Sequence, residues 1–272
     1  MQTEYHKEFE KTIRSVSYSK HLWEIFSDFV EMAAISLSNA IYLDPDKEKR
    51  YLDLAGRYQR NEISILPKLL GITINALEGT SCDFLGEMFM QLELASHYHG
   101  QFFTPFPICK MMADMNLVDI EKTIESKGYV TCGEPCVGAG AMVIALAKSC
   151  MEKKINYQEK VHVTAIDISP VAAHMAYIQL TLLHVPAIVY IGNSLSMEMC
   201  EKWVTPAHVM GFWDSRLKRD CEKAESPKTD HSSEPVLLFP PDISFERPEV
   251  KEPAFPMKKK ESPVIIQPSL FV

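Results

Sequence analysis

The chain has 272 residues, of which 46% are hydrophobic and 24% charged, with 28 basic side chains against 36 acidic for a net charge of −8. This is ordinary globular composition, which excludes collagen-like, wholly disordered and disulfide-scaffold chains, and the length allows one or two domains. No segment carries a basic surplus, since residues 1–100 hold 10 Lys and Arg against 15 Asp and Glu, so the chain lacks the cationic surface that grips duplex DNA by phosphate neutralisation.

Residues 1–98 read as a helical N-terminal domain. Apolar positions recur at three- and four-residue steps in HLWEIFSDFVEMAAISLSNAIYL, and again in KEKRYLDLAGRYQR, SILPKLLGITINAL and CDFLGEMFMQLELASHY. Asp44-Pro45 and Gly79-Thr80-Ser81 punctuate these runs as turns. Such a bundle serves packing or partner docking.

Residues 99–220 change character. Tyr129–Cys132, Val161–Ile166 and Ala187–Ile191 read as strands, with helical runs at Ala141–Met151 and Pro170–His184 between them. Strand and helix in alternation predict a parallel sheet covered by helices. Residues 221–272 form a tail that reads as disordered or extended, because 9 of its last 47 residues are Pro and it includes Lys258-Lys259-Lys260.

Seven Cys, with only Cys132 and Cys136 closely spaced, point to a reducing cytoplasm rather than to a disulfide framework or a metal site. No apolar run approaches about 18 residues, so no membrane span is expected.

The loop after the first strand, Glu134-Pro135-Cys136-Val137-Gly138-Ala139-Gly140, carries the chemistry. Its two glycines let the backbone pass close to a ligand, and the next helix points its N-terminus there. A plain tight βα connection is the alternative. The second strand ends at Asp167, whose carboxylate can accept two ribose hydroxyls at the strand's carboxyl end or cap the helix beginning at Pro170. The third strand ends in Gly192-Asn193-Ser194, where Asn193 is either a ligand contact or a turn residue. No G-x-G-x-x-G and no G-K-[ST] occur here, so the pattern suits a nucleoside ligand without phosphates, such as S-adenosylmethionine.

Gly100-Gln101-Phe102-Phe103-Thr104-Pro105, followed by EPCVGAGAM and by AIDISPVAAHMAYIQLTLLHVPAIVYIGNSL, resembles the adenine-specific N6 DNA methyltransferases. The likeness is to the modification subunits of type I restriction systems and their plasmid-borne relatives, and it covers residues 82–196. It implies an incomplete Rossmann-like α/β methyltransferase sheet behind the helical domain, with S-adenosylmethionine as cofactor. By position, Phe103, Thr104 and Pro105 would line the methionine end. Glu134 stands where the family usually has Asp, Gly138 and Gly140 would admit the cofactor, Asp167 would take the ribose and Asn193 the adenine. DNA, bound weakly by this chain alone, and a specificity or other subunit are the implied partners.

One family element is missing. Members carry [DNS]-P-P-[YFW], whose polar group accepts the target amine and whose aromatic ring stacks the flipped base. The nearest string here is Phe239-Pro240-Pro241-Asp242 after the apolar run Val236–Phe239, and Pro240, Pro241 and Asp242 are weak catalytic candidates. The run Thr205–Trp213 reads as a helix start with aromatic packing, in which His208 is a structural histidine or, less favourably, a base. The alternative function is a non-catalytic module that binds the cofactor or a partner.

Overall fold

A computed structural model describes residues 3–16, 20–79, 82–94 and 103–225. Pro240, Pro241, Asp242 and the tail from residue 226 onward lie outside the described residues, as do Gly100, Gln101 and Phe102.

Six helices come first: α1 Glu4–Arg14, α2 Leu22–Asn39, α3 Pro45–Ala55, the single turn α4 Arg60–Ile63, α5 Leu66–Gly79 and α6 Phe84–Gln91. The Asp44 side chain caps α3 by accepting the Asp46 and Lys47 N–H groups, with Pro45 in the first helical turn where no N–H is needed. Edge-to-face rings hold the cluster together. Phe9 meets Phe26, Phe29 and Phe84 at centroid distances of 6.4, 5.7 and 5.6 Å.

The α/β part runs α7 Phe106–Lys127, β1 Val130–Glu134, α8 Ala141–Glu152, the turn α9 Tyr157–Lys160, β2 Val161–Asp167, α10 Pro170–Leu182, β3 Ala187–Asn193, β4 Glu198–Val204, α11 Pro206–Met210 and α12 Trp213–Glu225. Gly128 in the left-handed region (φ 85°) ends α7, the conformation that Gly adopts without cost at a helix C-terminus. The sheet order is β1-β2-β3-β4. β1, β2 and β3 are parallel, while β4 returns antiparallel to β3 as a hairpin. The order advances in one direction, so the strand-order reversal of a doubly wound sheet is not among the described residues, and β1 is an edge strand there.

α10 explains how the helices and the sheet share one core. Its residues Ala172–Thr181 are all buried, which is how a helix enclosed on every side reads. It packs on β2 and β3 and on α2, α5 and α6, and the buried apolar residues form one cluster from Phe9 to Trp203. The N-terminal helices thus bear on the sheet face that α8 and α10 cover. Trp203 of β4 is fully buried beneath His174 and Tyr177 of α10, with the Lys47 ammonium 3.7 Å from its ring centroid. Arg50 of α3 forks onto both Glu201 oxygens at 3.1 Å, tying the helices to the edge strand.

On the opposite sheet face, α11 and α12 cover the start of β2. His162 Nε2 lies 2.9 Å from His208 Nδ1, and both rings are buried against or beside Trp213. The His208 Nε2 lies 3.1 Å from the Asp214 carboxylate. Burial holds His162 neutral, with its pKa lowered to about 3. Burial also lowers the His208 pKa, and its partner His162 lies five residues along β2 from Asp167 at the carboxyl edge, so His208 packs away from that edge.

Candidate functional site

A cleft of about 260 Å³ opens at the carboxyl end of β1. It is lined by Phe103 and Thr104 ahead of α7, by Glu134, and by the loop through Gly138 into α8. The loop exists because two residues take left-handed backbone: Gly138 at φ 56° and Gly140 at φ 102°. Val137 N–H donates to the Ile166 carbonyl at 2.9 Å, and Gly140 N–H to the Val137 carbonyl at 2.9 Å, so the loop is laced to β2 and to itself.

Each glycine has its own reason. A Cβ on Gly138 would stand 3.0 Å from Phe103 Cδ1, so the loop and the aromatic ring meet only because no side chain intervenes. Gly140 has ordinary room beside Ala176, and its requirement is the backbone angle that starts α8.

Asp167 braces this loop. Its Oδ2 accepts the Gly138 N–H and its Oδ1 the Ser169 N–H, both at 2.8 Å. Helix capping at Pro170 falls instead to Ser169, whose hydroxyl accepts the Ala172 N–H at 3.4 Å. Glu134 accepts the Cys136 N–H at 3.2 Å. Burial pushes both carboxyl pKa values above the ordinary range, and Asp167 adds to the effect on Glu134. Among the described residues neither acid forms an ion pair with a cation. Two half-buried carboxylates without a counter-charge repel phosphate and favour a ligand that is cationic or rich in hydroxyls.

The remaining expected site residues are spread wider. Pro105 is the N-cap of α7, and its carbonyl accepts the Ile108 N–H at 2.9 Å. Asn193, two strands from β1, spends its Oδ1 on the Leu195 and Ser196 N–H groups at 2.9 and 3.3 Å, closing the turn into β4. So Phe103, Thr104, Glu134 and Gly138 share the cleft wall, and Asp167 reaches it through the Gly138 amide.

Sequence reasoning passed over Cys109, Met112, Cys136 and Met142, which also line the cleft. Burial pushes the Cys109 thiol up to about 11, so it stays protonated at neutral pH. Gln179 was also missed. It is fully buried on α10, and its Nε2 donates to the Ala139 carbonyl of the loop at 2.8 Å. The available signal was a lone amide within the apolar run AAHMAYIQLTLL.

Among the described residues no cluster of acids, cysteines or histidines could hold a metal ion, and no helix is long and apolar enough to cross a membrane.

The model of the N-6 DNA Methylase family matches residues 81–211, which contain the cleft, the loop and β1 to β4. That match takes in just under half of the chain. No curated protein matches the chain. Among solved structures, a class I S-adenosylmethionine-dependent methyltransferase from Listeria monocytogenes is 13% identical, with a TM-score of 0.41 over 74% of this chain and 57% of its own. The methyltransferase subunit of a type I restriction-modification system from Streptococcus thermophilus is 11% identical, with a TM-score of 0.39 over 72% of this chain and 58% of its own. The chain thus spans less than three fifths of either protein's length. The matched segment takes in α6 and the whole described sheet, and it leaves α1 to α5 and α12 outside.

Proposed function

We propose that this chain binds S-adenosylmethionine in the β1 cleft and is the donor-binding part of an adenine-specific N6 DNA methyltransferase of the restriction-modification or plasmid-borne kind. The observation that carries the reading is the convergence of Phe103, Thr104, Glu134 and the Asp167-braced Gly138 loop on one cleft inside the N-6 DNA methylase segment.

The residues suit the donor's charges. The ligand is a sulfonium and an ammonium against one carboxylate, a net cation, and the cleft wall offers the Glu134 carboxylate, with Asp167 behind the Gly138 amide and neither acid paired with a cation among the described residues. The outward lone pairs of Asp167, left over from its two backbone bonds, accept ribose hydroxyls. The Phe103 ring packs near the sulfonium, and the Thr104 hydroxyl reaches the amino-acid end. Because the Oδ1 of Asn193 is committed to its turn, contact with the adenine falls to its amide nitrogen. Bound there, the donor supplies an electrophilic methyl group for an exocyclic amine.

Groups that accept the target amine come, on this reading, from outside the described residues. No [DNS]-P-P-[YFW] string occurs in the sequence, and the described sheet has no strand beyond β1. The missing string also favours a second reading, a non-catalytic module that binds the donor. Titration calorimetry with S-adenosylmethionine tests what the two readings share, and tritiated-methyl transfer to duplex DNA separates them. The net charge of −8 predicts that the isolated chain holds random duplex only in the non-specific range of about 10⁻⁴–10⁻⁶ M at physiological salt. Absence of donor binding refutes both readings. Nanomolar, sequence-selective DNA binding by the chain alone refutes the assignment of target recognition elsewhere.

A further inference from the structure

Gln179 joins three parts of the molecule at one amide. Its Nε2 donates to Asp83 Oδ1 at 2.7 Å and to the Ala139 carbonyl at 2.8 Å, and its Oε1 accepts the Leu85 N–H at 3.1 Å. Both donors face oxygens and the acceptor faces an N–H, so only one orientation of the amide satisfies all three. Gln179 and Asp83 are both buried, which makes each bond costly to leave unmade.

Ala139 lies between the two positive-φ glycines, the part of the chain with most freedom to change its backbone. A glycine takes positive or negative φ with similar ease, so two successive peptide planes there have alternative settings. The Asp167 carboxylate fixes one plane through the Gly138 N–H. Gln179 fixes the Ala139–Gly140 plane, the second one after it, through the Ala139 carbonyl.

Asp83 in turn fixes Gln179. Its Oδ1 also accepts the Gly86 N–H at 3.0 Å, capping α6, and a Cβ on Gly86 would land on its carboxylate. Asp83 makes no ion pair among the described residues, and its pKa is pushed up to about 6 by burial. The titratable groups that act on it or on its neighbours are Glu87 of α6, Cys109 of α7, and His6 of α1, whose Nε2 lies 2.9 Å from Glu87.

We propose that Gln179 is the positioning residue of the glycine loop, held in its one productive orientation by the buried carboxylate of Asp83. The inference rests on reading the β1 cleft as the donor site. It deepens that reading by assigning the loop's shape to α6 and α10, which do not line the cleft.

The test uses the full chain and two variants, each checked for folding by circular dichroism. Gln179→Met keeps the volume and removes all three bonds. Hydrogen–deuterium exchange without ligand should then rise about tenfold or more in the peptide covering 134–141, the scale of one lost buried bond, while β2 and β3 keep their protection. Gln179→Glu keeps the acceptor for Leu85 but turns the donor into an acceptor facing two oxygens. Protonating the introduced carboxyl restores one donor. Loop protection and affinity for S-adenosylmethionine should therefore recover at least about fivefold between pH 8 and pH 6, beyond any change in the parent. A residue that only fills space would not produce this recovery. If the parent chain binds no S-adenosylmethionine, the donor reading fails while the exchange measurement still decides the positioning role. A folded Gln179→Met chain with parental exchange in 134–141 overturns the proposal. So does a Gln179→Glu chain with the parental pH profile, including the case in which Gln179→Met does not fold.

Discussion

Asp167→Ala separates bracing the loop from binding the donor. The carboxylate accepts two backbone N–H groups at 2.8 Å, those of Gly138 and Ser169. Hydrogen bonds to a charged group contribute about 1.5–3 kcal/mol each, and the half-buried setting lets water reach the freed amides, so the low end applies and the pair amounts to about 3 kcal/mol. Removing the acid also takes a half-buried charge out of the fold, which offsets part of that loss. The net cost is therefore about 1–2 kcal/mol, a fall in Tm of roughly 2–8 °C for a domain of this size. If the same carboxylate also holds the ribose, affinity for S-adenosylmethionine falls by a further 1.5–3 kcal/mol, about 10- to 150-fold. Differential scanning fluorimetry gives the first quantity and titration calorimetry the second. A Tm drop of that size with parental donor affinity would show that Asp167 is a brace and nothing more. A parental Tm would show that the two amide bonds do not hold the loop.

Gly138→Val should destabilise the fold by about 1–3 kcal/mol from its positive φ alone and abolish donor binding, because the new side chain meets the Phe103 ring; Gly133→Ala, which has open space, is the control expected to change neither Tm nor affinity. His174 is buried against Trp203, and burial, with Arg50 and Lys47 nearby, lowers its pKa to about 3. The folded state thus keeps His174 neutral while the unfolded chain takes up a proton below about pH 6.5, so its contribution is complete above that pH and is lost as the pH falls toward 3. Between pH 6.5 and 5 the parent should lose about 2 kcal/mol more than His174→Phe in urea titrations, and equal losses would place a charged His174 in the folded protein.

Helices whose apolar stripes face one core were legible from spacing, as in α2 and α5, where the periodic runs fall on the observed helices. α7 was not, because Met111, Met115 and Val118 are 58%, 74% and 56% exposed and blur the stripe that Cys109, Ala113, Leu117 and Ile120 bury. β4 was passed over because only Trp203 of its seven residues is buried, so the alternation that marks a strand has a single inward anchor. The tight glycine loop and the place of Asp167 at the end of β2 were legible because residue type and spacing set them. Asn193 carried two readings, and its turn bonds are local. The Asp83–Gln179–Ala139 network could not be read, since three positions up to 96 residues apart meet only once α10 has docked.

The packing of α2 against α10 also sets a timetable for synthesis. α2 ends at Asn39 and α10 begins at Pro170. At about 5–20 residues per second, a ribosome takes roughly 7–26 s to reach the start of the helix that α2 packs against most extensively. During that interval the face of α2 destined for α10 stands in water on a nascent chain. The contact also joins positions far apart in sequence, which slows its closure. A holdase that shields apolar helix faces would therefore raise the yield of native chain, and slower growth at low temperature would lengthen the exposure while weakening the hydrophobic attraction that drives self-association.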